Sequence, residues 1–234
     1  MRYYDYSVKQ LEEKAAELLI EFDAERLHKV KPIDVYAVIE KCLNVPYDWK
    51  YLSPDQSILG ATAFNAGCLW VWPENKYYDG LMPYQIYVEK DTILIEQTLT
   101  ERDNRGRENF TVMHEVFHQV LHKKCFQDEG QSYMHSTYSR TIDGNIRCDS
   151  VALRAIERQA NACAAAFLMP AELTKNEFLK HYARIKRRLG TWRDYLYTED
   201  LIKEMSSDFS VSKQAMSYRL QNLGLLDNNG CIIL

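Results

Sequence analysis

The sequence predicts an α+β fold. Amphipathic helical stretches at both ends enclose a block of short β-branched and aromatic runs between Ile58 and Gln97, and a helical period returns after Gly106. With 234 residues the chain can bury a substantial core, enough for one larger domain and a smaller appended unit. A composition of 46% hydrophobic and 26% charged residues excludes a disordered or fibrous chain.

Ser7 and Gln10 have the spacing of a capping box, and Leu11, Ala15, Leu18 and Phe22 follow at helical spacing, which predicts a first helix over about 8–27. Pro32 suits a first helical turn, and Val35, Val38, Ile39 and Leu43 form a second apolar stripe that stops near Asn44 and Pro46. The runs at 61–64, 68–72, 85–88 and 92–95, separated by Gly, Pro, Asn and Asp, predict a small antiparallel sheet.

Phe110, Met113, Phe117, Val120 and Leu121 then mark a helix through about His122. The polar stretch from Lys123 to Ile142 reads as a long loop that could contact a substrate. Asp149 to Leu168 is Ala-rich and helix-favouring and ends at Pro170. A domain boundary is expected there, giving 1–170 and 171–234. In the second unit, 199–207, a turn at 209–212 and 213–222 read as helix, turn, helix, with Ser212 as N-cap and Gly224 beyond the end.

Six scattered cysteines without a Cys-x-x-Cys pair read as free structural thiols. The amino terminus carries no apolar h-region, and no apolar run approaches the roughly 20 residues that span a bilayer. A cytoplasmic protein with no membrane partner is expected.

The motif that carries chemistry is His114-Glu115-Val116-Phe117-His118. Residues four apart share one helix face, so the two imidazoles can converge on one cation at roughly 2.0–2.1 Å, while Glu115 points about 100° away and can act on a water as general base. By itself the pattern fits a non-metal histidine pair on an amphipathic helix equally well. The neighbouring Val, Phe and Leu stripe already supplies the core face, however, so the polar edge calls for another purpose. His122 stands about 12 Å along the axis from His114, too far to share the ion on a straight helix, and is assigned a supporting role. His28 and His181 have no partner at ligand spacing.

A third ligand is offered by Glu157, with Asn161 four residues later placed to hydrogen-bond a histidine ring from outside the coordination sphere. Spacing alone is equally consistent with Glu157 as one more helix charge beside Arg154 and Arg158.

Two separated stretches resemble the ImmA/IrrE family of metallo-endopeptidases: Phe110 to His118, and Glu157 to Pro170 with Ala160, Asn161 and Met169 in its pattern. Pro32 to Val35 and the segment from Val211 to Leu225 are also similar, so the likeness extends over about 10–226. The resemblance implies a zincin-like metallopeptidase domain followed by a helix-turn-helix-like carboxyl-terminal region. It implies one zinc ion per chain, held by His114, His118 and Glu157, with Glu115 as catalytic acid/base and Asn161 behind a ligand. It further implies cleavage of a regulatory protein, typically a helix-turn-helix transcriptional repressor. The chain departs from the family pattern at Phe117, where Gly is usual, and at Cys163, where Phe is usual.

Phe117 is bulky enough to close a groove beside the ion, and it keeps an alternative in play: a non-catalytic antirepressor or sensor that grips a regulator with a zincin scaffold. The oxyanion donor stays unassigned among Tyr133, His135 and Tyr138. A third reading would offer Lys213, Gln214 and Arg219 to DNA. Between Glu172 and Asn222 ten Lys or Arg face seven Asp or Glu, a balance of only +3 in a chain of net charge −4, which argues against direct DNA binding.

Overall fold

A computed structural model of the chain describes residues 3–73, 82–101, 104–127, 134–138, 151–189 and 194–233. Helix α1 (Val8–Asp23) opens on the expected capping box, with Ser7 and Gln10 exchanging side-chain and main-chain hydrogen bonds. Asp34 caps α2 (Val35–Val38), whose continuation as a π-turn over Ile39–Leu43 ends on Asn44 in the left-handed conformation, φ 51°. The chain then enters β1 (Tyr47–Lys50), β2 (Ile58–Ala63), β3 (Gly67–Val71), β4 (Tyr84–Val88) and β5 (Thr92–Glu96). Helix α3 (Arg105–Gln127), strand β6 (Met134–Tyr138), and helices α4 (Val151–Leu168), α5 (Ala171–Leu189), α6 (Asp194–Asp208) and α7 (Lys213–Asn222) follow.

The fold is mixed α+β, as the sequence predicts, but the strands divide into two sheets. One has the order β1-β5-β2-β6, with β1 parallel to β5 and the other pairs antiparallel; the other is the hairpin β3-β4. Two strands lie where none is expected. β1 has only four residues, and β6 forms inside the stretch read as a loop, where α3 also runs on past His122 to Gln127. Both strands depend on an unpaired edge, of β5 and of β2, that local sequence cannot reveal. Tyr133 and Cys148 lie outside the described residues. Cys42, Cys68, Cys163 and Cys231 are free thiols. Among the described residues no helix is long and apolar enough to cross a membrane.

The core runs between α1, α3 and α4. Leu11, Ala15, Leu18 and Leu19 of α1 and Val112, Met113, Val116, Phe117 and Leu121 of α3 close on Ala160, Cys163, Ala164 and Phe167 of α4. Small residues on α4 let both neighbours approach closely, which brings α3 and α4 near enough for their polar edges to meet. Cys163 donates to the carbonyl of Leu11 at 3.3 Å, and burial pushes its thiol up to about 12. Phe117 stands edge-on to Phe167 at 6.0 Å, fully buried. Its ring therefore fills core, and the groove-closing role suggested by its bulk is not what the structure shows.

The same apolar cluster continues through Phe178 and Ile185 of α5, Leu201 and Met205 of α6, and Met216 and Leu220 of α7. Ser212 caps α7 by accepting from the Ala215 amide, and Gly224 adopts φ 71° two residues beyond the helix. At the start of α3, a Cβ on Gly106 would fall 2.5 Å from the Val211 carbonyl carbon, so only glycine permits that contact with the α6–α7 turn. Asn109 Nδ2 donates to the Ser210 carbonyl there at 2.9 Å.

Arg219 is only 4% exposed; its Nε donates to the Met169 carbonyl at 2.9 Å and its Nη2 to Glu12 at 2.9 Å. This side chain ties α7 to α1 and is not offered to a nucleic acid. Replacing Glu12 by Ala leaves the buried guanidinium without its carboxylate and should cost about 3 kcal/mol of stability, read as a lowered urea midpoint at unchanged slope.

Candidate metal centre

His114 and His118 project from one face of α3, and their Nε2 atoms stand 2.8 Å apart, with the rings at 70° and centroids 4.6 Å apart. Glu157 reaches across from α4, Oε2 to 3.2 Å from His114 Nε2 and Oε1 to 3.4 Å from His118 Nε2. The three donor atoms lie within 4.8 Å of one another. Relative exposures are 2%, 0% and 9%. Glu157 is thus no solvated helix charge.

Two imidazoles and a carboxylate in a nearly dry site fit a divalent cation. Catalytic zinc favours three protein ligands of this N/O type, and ligands at roughly 2.0–2.1 Å in tetrahedral geometry stand about 3.3 Å apart. The two histidine–glutamate separations match that figure; the histidine–histidine pair is tighter by about 0.5 Å. The local field also favours positive charge. Burial works against protonating His114, yet hydrogen bonding and attraction from Glu157, with Glu115 behind, outweigh it and raise its pKa above the ordinary imidazole value.

Glu115 is fully buried and leans toward β2, where Thr62 Oγ1 donates to its Oε2 at 2.7 Å. A Cβ on Gly60 would fall 2.6 Å from Glu115 Oε1 and 2.8 Å from its Cγ, so the carboxylate occupies the space that a missing side chain provides. The structure places Asn161 Oδ1 3.0 Å from His114 Nδ1. His122 lies behind the site, its Nδ1 3.0 Å from His118 Nδ1 and its Nε2 3.1 Å from Gln159 Oε1.

Of the remaining histidines, His181 pairs with Glu204 and Asp208 at 3.1 and 2.9 Å, far along α5, and His28 ends the short 3₁₀ turn Ala24–Leu27. His135 and Tyr138 sit on β6 in register with Thr62 and Ile58.

Gly60, Thr62 and Gln159 are not legible as site residues in the sequence. A glycine inside a strand run is a weak signal of close backbone approach, and a bulge does occur between Ile58 and Gly60. Thr62 gives no signal at all, because threonine is ordinary in a strand.

A family model described as the IrrE N-terminal-like domain of the M78 peptidases matches residues 97–221. The chain belongs to this family. The matched span runs from the 3₁₀ turn after β5 through α7 and contains the whole histidine–glutamate cluster, so the M78 assignment and the donor geometry concern the same residues. No curated protein matches the chain. For an M78 peptidase with this geometry, removing the Asn161 acceptor by an Asn161→Leu change should weaken zinc binding roughly 10–100-fold, measured by competition with a chromophoric chelator.

Proposed function

We propose that this M78 peptidase is a zinc-dependent endopeptidase that hydrolyses a peptide bond in a regulatory protein, with His114, His118 and Glu157 holding the ion and Glu115 as general base and acid. The observation that carries the reading is the convergence of three buried donors from two helices beside a second buried carboxylate. A bound zinc ion supplies Lewis-acid polarisation of the scissile carbonyl and lowers the pKa of a water molecule toward 7.

The chain's own groups do the rest. Glu115 takes the proton of the attacking water and delivers it to the leaving amine. Thr62 pins one oxygen of that carboxylate, and Gly60 gives it room, so its orientation is set before substrate arrives. Asn161 accepts from His114 Nδ1–H, which leaves the Nε2 lone pair pointing at the metal position.

That the substrate is a helix-turn-helix transcriptional repressor rests on the resemblance to the ImmA/IrrE family. The non-catalytic alternative was motivated by Phe117 closing a groove; that ring is fully buried against Phe167 in the core.

Glu115→Gln should lower the cleavage rate of a repressor substrate by at least about 100-fold while one zinc per chain is retained, and a chelator should abolish wild-type cleavage. A variant that cleaves at the wild-type rate would overturn the assignment of Glu115. Gly60→Ala tests the orientation of Glu115: the added methyl meets its Oε1 and Cγ, forces the buried carboxylate off its hydrogen bond to Thr62, and should lower activity more than tenfold.

A further inference from the structure

Behind His118 lies a chain of polar contacts that ends on the amino-terminal segment. His118 Nδ1 is 3.0 Å from His122 Nδ1, His122 Nε2 is 3.1 Å from Gln159 Oε1, and Gln159 Nε2 donates to the main-chain carbonyl of Tyr4 at 2.8 Å. His118, His122 and Gln159 are all buried, at 0%, 1% and 0% exposure.

For a neutral His122, the direction of this chain follows from proton bookkeeping. A main-chain carbonyl has no proton to give, so the amide nitrogen of Gln159 must face Tyr4 and its oxygen must face His122. That oxygen can only accept, so His122 carries its proton on Nε2. A neutral His122 then presents an unprotonated Nδ1, and His118 must donate from its own Nδ1. His118 Nε2 is left with its lone pair, directed at His114 and Glu157.

We propose that His122 and Gln159 are positioning residues that fix the metal-binding tautomer of His118, and that docking of the segment around Tyr4 sets the orientation of the whole relay. The proposal rests on the metal-site reading above. His114 receives the same service from a single residue, Asn161. For His118 the constraint passes through two side chains to the Tyr4 carbonyl, 155 residues from Gln159 in sequence. The amino-terminal segment is thereby coupled to zinc affinity without touching the ion.

Two measurements test this. In metal-free wild-type protein, long-range ¹⁵N–¹H NMR of the imidazoles should show His118 protonated on Nδ1 and His122 on Nε2. The reverse assignment of either ring overturns the relay, whatever the protein does with zinc. In the second, zinc affinity is read by chelator competition for Gln159→Leu and Gln159→Glu. Gln159→Leu should bind zinc roughly 10–100-fold more weakly and shift His118 toward the Nε2–H tautomer.

Gln159→Glu keeps an oxygen facing His122 in either protonation state and should stay within about threefold of wild type. Equal affinity in the leucine variant, or equal loss in both variants with the wild-type tautomers retained, shows Gln159 to be structural only and sinks the proposal. Wild-type protein that takes up no zinc would instead overturn the metal reading, and the ring tautomers would still decide the relay.

Discussion

Burying two imidazoles and two carboxylates between a helix pair and a strand is costly unless each polar group finds a partner, and this constraint organises the molecule. His114 faces Asn161, His118 faces His122, and Glu115 faces Thr62. Glu157 stands between the two histidines, and the remaining need is for positive charge at the point where their Nε2 atoms converge. The three donors could hold a cation there.

Helix packing makes that convergence possible. The small residues Ala160, Cys163 and Ala164 let α1 and α3 both close on α4. Phe117 belongs to this packing and so serves the site indirectly, by setting the α3–α4 contact through Phe167. Cys163 does the same on the other side, where a thiol bonded to the Leu11 carbonyl holds α1 close. The contacts of Phe117 and Cys163 thus lie on opposite flanks of α4.

The carboxyl-terminal helices share this framework. Gly106 admits the main chain of Val211 and Ser212 against the first turn of α3, and Arg219 joins α7 to Glu12 on α1 and to the end of α4. The helix-turn-helix outline is real in α6 and α7, but its inner face is core, continuous with the helices that carry the donors.

The features legible in the sequence were local ones. The apolar stripes and the His114–His118 spacing follow from 3.6-residue periodicity, the capping box at Ser7 from local residue types, and the helix carrying Glu157 and Asn161 from its Ala-rich composition ending at Pro170. Two strands, the division into two sheets, and the roles of Gly60, Thr62 and Gln159 were not legible there, because each depends on a partner far away in sequence. Glu115 meets Thr62 across 53 residues, His122 meets Gln159 across 37, and Gln159 meets Tyr4 across 155. Ligand spacing is a property of one helix, so the sequence could show it. The orientation of the ligands is a property of what packs behind that helix, and only the tertiary structure could decide it.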